Sequence, residues 1–109
     1  MENPRIRLPK VIRVNEPFEV KTLISHKMES GQRTDEDNDQ LIPRHIIKKF
    51  VCLLDGLEVF SAQLYPGVAE NPYLTFFLQA ERSGRLTLIW EDDRGETIEL
   101  QRTIEVASP

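Results

Sequence analysis

Few side chains in this sequence have catalytic potential. They are two histidines, His26 and His45, one thiol, Cys52, and two acidic runs, Asp35-Glu36-Asp37-Asn38-Asp39 and Glu91-Asp92-Asp93. The first run places carboxylates at alternate positions, as a calcium-binding EF-hand loop does at its start. Such a loop then needs glycine at its sixth position for a sharp turn and glutamate at its twelfth as a bidentate ligand. Gln40 and Ile46 stand there instead, so the pattern fails at both places. Immunoglobulin-like iron centres of the superoxide-reductase kind use four histidines and one cysteine, and two histidines fall short of that set. His26 and His45 therefore read as loop or interface residues. A single cysteine makes no internal disulfide and no zinc site by itself. Cys52 alternates with Phe50 and Leu54, which marks it as a small buried hydrophobe, with pairing to a partner's thiol as the alternative. No Gly-x-Ser-x-Gly elbow exposes a serine nucleophile. The five glycines stand singly at turns, so no loop cradles a phosphate. The Glu91-Asp92-Asp93 run reads as hydrated surface. These residues predict no catalytic group, no metal and no cofactor, and leave a protein that binds something.

The elements that would present such a surface are strands. Apolar residues recur with a period of two, the strand signal. Arg5-Ile6-Arg7-Leu8 alternates and stops at Pro9. Phe18, Val20, Thr22 and Ile24 share one face, while Leu23 interrupts the polar face opposite. Phe50 to Leu54, Leu57 to Leu64, Leu74 to Leu78, Leu86 to Trp90 and Thr97 to Val106 continue the series. Asp55-Gly56 lies between two apolar runs, and a type I′ hairpin turn needs positive φ at both central positions. Ser83-Gly84 and Asp93-Arg94-Gly95 mark two further turns, and Pro66-Gly67 with Asn71-Pro72 bracket a longer crossing. Ile42 to Phe50 carries apolar residues at helical spacing, but its β-branched content favours a strand over a short helical turn. The expected architecture is all-β: an immunoglobulin-like antiparallel β-sandwich of about seven strands, one domain over residues 1–109. Adjacent Phe76 and Phe77 must point to opposite sides of one sheet, so one of them leaves the core. Outside the core it forfeits about 1.5–3 kcal/mol of burial unless something covers it.

Charge narrows the partners. Fourteen Lys and Arg stand against 18 Asp and Glu in 109 residues, a net charge of −4. A sheath of phosphate contacts needs a positive surplus, so nucleic-acid binding is disfavoured. The apolar runs are too short for a membrane span. Met1-Glu2-Asn3-Pro4-Arg5 lacks the apolar segment of a secretory signal, which on its own places the chain in the cytosol. Basic residues collect at Arg5, Arg7, Lys10 and Arg13, and again at Arg44, His45, Lys48 and Lys49. The segment from Ser25 to Arg44 is charged and poor in large apolar groups. Loops of that length in compact domains are usually functional or disordered.

Several segments together resemble one family. They are Ile6-Arg7-Leu8-Pro9-Lys10, the run from Lys21 to Arg33 containing Leu23-Ile24-Ser25-His26-Lys27-Met28-Glu29-Ser30-Gly31, and Leu41-Ile42-Pro43-Arg44-His45-Ile46-Ile47. Val59-Phe60-Ser61-Ala62, Asn71 to Phe77 and Trp90 to Thr97 complete the set. In this order they resemble SoxZ, a subunit of the SoxYZ sulfur carrier of thiosulfate-oxidising bacteria. The chain departs from the family pattern at Lys27, where proline is common, and at Ser30, where threonine is common. The resemblance implies an immunoglobulin-like fold and a non-catalytic role beside SoxY, whose C-terminal cysteine carries covalent sulfur intermediates to other Sox enzymes. It also implies a periplasmic location, reached without a signal of its own through export in complex with SoxY. Cys52 does not inherit the carrier role, because nothing here matches the glycine-flanked tail of SoxY. Specific charged residues on loops usually answer to a ligand or partner. His26, Met28, Glu29, Arg33 and Arg44 are thus expected to shape a partner-contact surface, with Phe76 or Phe77 as an apolar anchor. The planar fork of arginine suits anionic thiosulfonate groups. The alternatives are a small metal-dependent redox enzyme and a stand-alone binding module on the same sandwich.

Overall fold

The computed structural model describes residues 2–26, 28, 31, 44–64 and 71–107. Among them the chain forms β1 (Glu2–Arg7), β2 (Ile12–Arg13), β3 (Phe18–Ser25), β4 (Ile47–Leu54), β5 (Leu57–Gln63), β6 (Tyr73–Leu78), β7 (Gly84–Asp92), β8 (Thr97–Ile104) and β9 (Val106–Ala107). Seven of these have six residues or more, at the positions where the period-two pattern runs. β1, β3 and β6 form one antiparallel sheet in the order β1-β3-β6. The second, also antiparallel, has the order β5-β4-β7-β8, and β2 joins β9 in a short parallel pair. The result is an all-β sandwich, compatible with an immunoglobulin-like arrangement. Ile47 to Phe50 is strand, as the β-branched content favours.

Alternation explains the layers. In β3, Phe18, Val20, Thr22 and Ile24 are buried while Glu19, Lys21 and Leu23 are only half-buried on the other face. In β7, Leu86, Leu88, Trp90 and Asp92 are buried. Four aromatic rings join the sheets. Phe50 lies 5.2 Å from Trp90, 5.7 Å from Phe76 and 6.1 Å from Phe60, centroid to centroid. Phe60 and Phe76 stack in parallel at 4.2 Å, one from each sheet. Phe76 is 5% exposed and Phe77 63% exposed, so Phe77 is the ring that leaves the core. Cys52 is buried on the inner face of β4, and burial pushes its thiol up to about 12, which removes the reactive thiolate.

Two turns show how local chemistry sets the register. Asp55 and Gly56 have φ of 50° and 84°, the two positive values a type I′ turn demands. Gly84 serves a different need. A Cβ there would come within 2.5 Å of the Asp55 carboxylate, whose Oδ1 accepts the Arg85 N–H at 3.0 Å. The glycine makes room for a side chain that ties the β4–β5 turn to the start of β7.

Removing buried volume at the centre of this core leaves a cavity that the two sheets close only in part. Leu88→Ala is expected to lower unfolding free energy by about 2–5 kcal/mol. Leu57→Ala, on the exposed edge strand β5, should change it by no more than about 0.5 kcal/mol. Urea titration of both variants checks this; equal losses would show that the core lies elsewhere.

Candidate functional site

The loop residues that carry the family resemblance gather at one corner of the sandwich. β3 ends at Ser25, and the next residue is clamped at once. The His26 N–H donates to Asn71 Oδ1 at 2.8 Å, and the Asn71 N–H donates back to the His26 carbonyl at 2.6 Å. Asn71 has φ of 53°, a left-handed conformation that asparagine tolerates better than most residues. Met28 is also left-handed, with φ of 58°. Its N–H donates to His26 Nδ1 at 2.8 Å, and its Sδ accepts the Ile47 N–H at 3.2 Å. The chain thus folds back from β3 onto the first residue of β4.

The opposite wall is the end of β7 and its turn into β8. A bulge between Ile47 and Lys49 in β4 places Ile47 opposite Asp92. Asp92 has no exposed surface, yet its carboxylate is fully engaged. Oδ1 accepts the Arg94 and Glu96 N–H groups at 2.9 and 2.8 Å, and Oδ2 lies 2.8 Å from His45 Nε2. Burial alone would raise the pKa of this carboxyl, but the hydrogen bonds from His45 and the two backbone N–H groups outweigh it and hold it below the ordinary value. Asp92 is therefore ionised, and a carboxylate only accepts, so His45 Nε2 carries the proton that joins them. The neighbouring Asp93 accepts from Arg44 Nε at 3.1 Å and from the Ile46 N–H at 3.3 Å.

His26 and His45 meet between these walls, ring edge to ring face, with centroids 4.7 Å apart. His26 is 8% exposed. Because Nδ1 accepts from Met28, its proton sits on Nε2, which is buried without a hydrogen-bond partner among the described residues. Burial first, and the adjacent His45 second, push His26 below the ordinary histidine range, so it is neutral.

Of the residues expected to shape a contact surface, His26, Met28 and Arg44 do come together here, whereas Glu29 and Arg33 lie outside the described residues, as does most of the Ser25–Arg44 segment. His26 and Met28 are buried and act from beneath the surface; Arg44 is exposed. Of the two rings offered as an apolar anchor, Phe76 belongs to the core, which leaves Phe77 as the exposed one. The reading of Glu91-Asp92-Asp93 as hydrated surface also fails at Asp92, which is wholly buried. What the spacing held was an Asp two residues before Arg94 and four before Glu96, the interval at which a carboxylate caps a turn's own N–H groups. His45, Asp92 and Glu96 bring three possible metal-ligating atoms within 4.8 Å of one another. Both Asp92 oxygens are already engaged, so the cluster reads as a structural clasp.

The two buried groups predict two acid transitions. Below the ordinary histidine value of 6.5 the unfolded chain gains a proton at position 26 that the folded chain takes only at a lower pH. Stability therefore falls as pH drops through that window, and His26→Gln should flatten the slope. The Asp92 contribution is complete above the ordinary value of 3.8 and disappears as pH falls through its depressed folded value. Asp92→Ala, which also strands His45 and two N–H groups, should cost about 3 kcal/mol near neutral pH. Urea midpoints measured near pH 7, at about pH 5 and at about pH 3 test both transitions; an unchanged midpoint between the first two would contradict the role of His26.

A family model described as "Sulphur oxidation protein SoxZ" matches residues 6–103. No curated protein matches the chain. Among solved structures, a superoxide reductase (neelaredoxin) from Ignicoccus hospitalis is similar, with a TM-score of 0.67 and 23% identity over 97% of this chain and 81% of that one. A hypothetical protein from Pyrococcus horikoshii is similar with a TM-score of 0.62 and 16% identity, over 95% of this chain and 87% of that one. At such identities these structures speak for the fold alone. The family model spans nearly the whole chain, both walls of the corner included, and on that ground the chain belongs to the SoxZ family.

Proposed function

We propose that this protein is the non-catalytic subunit of a SoxYZ-type heterodimer, in which a SoxY-like chain carries sulfur intermediates of thiosulfate oxidation on its C-terminal cysteine. The observation that carries this reading is the family match over residues 6–103. The chemistry of the corner supports it. His26 spends Nδ1 on the Met28 backbone, His45 Nε2 is committed to Asp92, and Cys52 is buried with a raised pKa. These groups hold a loop in shape, and none is a poised nucleophile. The partner's reactive sulfur would then be positioned by a rigid neighbour that makes no bond of its own. Other Sox enzymes would be the clients of the complex. Its place would be the periplasm, reached by export together with the SoxY-like chain.

An iron centre of four histidines and one cysteine fits this chain poorly. The two histidines here meet at the corner, while Cys52 faces the core of β4, opposite Phe60 on one side and Leu88 on the other.

The exposed residues available for contact are Arg44, fixed by Asp93, and Phe77, with Glu29 and Arg33 offered from sequence alone. An exposed ion pair contributes at most about 1 kcal/mol to stability, so Arg44→Ala should barely move the melting temperature. If Arg44 meets the partner, the same variant should weaken the complex roughly tenfold, or about 1.4 kcal/mol. Co-expression with a SoxY-like chain, followed by sizing and light scattering, should give a one-to-one complex. Separate elution of the two wild-type chains would overturn the reading, as would turnover of thiosulfate by the isolated subunit.

A further inference from the structure

The outward face of the β1-β3-β6 sheet carries a second, unrelated pattern. Strand register fixes which side chains share it. Arg5, Leu23 and Tyr73 form one row across the three strands, and Arg7, Lys21 and Thr75 form the next. Glu19 and Phe77 face each other in the row beyond. Tyr73 is 56% exposed and Phe77 63% exposed, the two large aromatic groups that the sandwich leaves in water on this sheet.

The charges on this face work against the fold. Arg7 lies directly opposite Lys21, and like charges in opposed positions destabilise a sheet. Lys21 reaches Glu19 at 3.2 Å, and among the described residues no carboxylate comes within ion-pair distance of Arg5 or Arg7. The chain as a whole is acidic, with a net charge of −4. Against that average, Arg5, Arg7, Lys10 and Lys21 with Glu19 give this face a local positive surplus, and they border relief that a ligand can enter. A hollow of about 450 Å³ is bounded by Arg5, Arg7, Lys21, Leu23 and Tyr73. A second, of about 370 Å³, adjoins it through Arg7 and Lys21 and extends to Lys10, with Glu19 the one acidic residue on its lining.

We propose that this face is a docking surface for an acidic segment of another protein, whose carboxylates meet Arg5, Arg7 and Lys21 while its apolar side chains cover Leu23, Tyr73 and Phe77. Charge complementarity selects the partner. Arginine and aromatic residues side by side are the composition of protein-binding hot spots. A phosphate backbone would need a far larger positive surplus than an acidic chain with a few clustered cations provides. The face shares Phe77 with the carrier reading, but its cations and Tyr73 stand independently of it, and the peptide test needs no SoxY-like chain.

The test uses the full chain and a fluorescein-labelled dodecapeptide of ten glutamates and two leucines, followed by fluorescence anisotropy at low salt. The triple variant Arg5→Ala/Arg7→Ala/Lys21→Ala should bind at least tenfold more weakly, and the double variant Tyr73→Ala/Phe77→Ala severalfold more weakly. Added salt should weaken wild-type binding steeply. A control pair on the other sheet, Arg85→Ala/Arg102→Ala, should bind as wild type, and melting curves should show every variant folded. Equal weakening in the control pair would reduce the effect to unspecific attraction and overturn the proposal. It would also be overturned if the triple variant bound unchanged, if a single-stranded oligonucleotide or an anionic phosphatidylserine vesicle bound the face as tightly as the peptide, or if the wild-type chain self-associated through this face.

Discussion

A single buried carboxylate holds the functional corner together. Asp92 is removed from water, and an ion in that position is tolerated only where partners replace its hydration. Two backbone N–H groups from its own turn and one histidine nitrogen do so. The consequence reaches beyond the turn. His45 is fixed by Asp92, His26 is packed against His45, and Met28 is tied both to His26 and to Ile47. Strand β3 belongs to one sheet and β4 and β7 to the other, so this chain of contacts fastens the sandwich at one end, where the aromatic cluster of Phe50, Phe60, Phe76 and Trp90 does so in the middle. Without the carboxylate, the loop after β3 would keep its clamps to Asn71 and Ile47 but lose the fixed histidine it packs on.

The strands were readable because their information is local. A period-two pattern needs only neighbours in sequence, and Asp55-Gly56 names its turn because few residue pairs accept two positive φ values. The Phe76-Phe77 pair required one ring to leave the core, but which one depended on strand parity relative to Val20 and Leu78, and that is a property of register. The corner was harder. Asp92 looks like the acidic residues on either side of it until β7 is known to continue inward through Leu88 and Trp90, which puts position 92 on the buried face. The meeting of His26 with His45 depends on two strands that pair with different neighbours, and nothing in the 19-residue interval between the histidines encodes it. The resemblance to SoxZ pointed to these loop residues, whereas their division into buried supports and exposed contacts came only from the packing.

Likeness of fold to a superoxide reductase speaks for the fold alone, so any chemistry has to be read from the residues. A sandwich offers the same loops at the same end to any function. What changes is the set of side chains placed there. Here His26 Nδ1 is bonded to a backbone amide and His45 Nε2 to a carboxylate, His26 Nε2 has no partner among the described residues, and the one thiol is turned into the core. The bonds these groups make stiffen the loop after β3.

That stiffness has a use in a protein whose work is to be bound. Association loses free energy to every side chain and loop that must be ordered at the moment of contact, and a surface ordered beforehand avoids part of that loss. The corner is ordered by bonds inside the molecule: Arg44 emerges already held by Asp93, above two histidines that cannot move independently. The β1-β3-β6 face shows the opposite economy. Its backbone is fixed by two ladders, but its outward side chains include Arg5 and Arg7, which no described carboxylate pairs, and the exposed rings of Tyr73 and Phe77. Selectivity then comes from the charges that only a complementary chain can neutralise, because like-charged surfaces repel on approach.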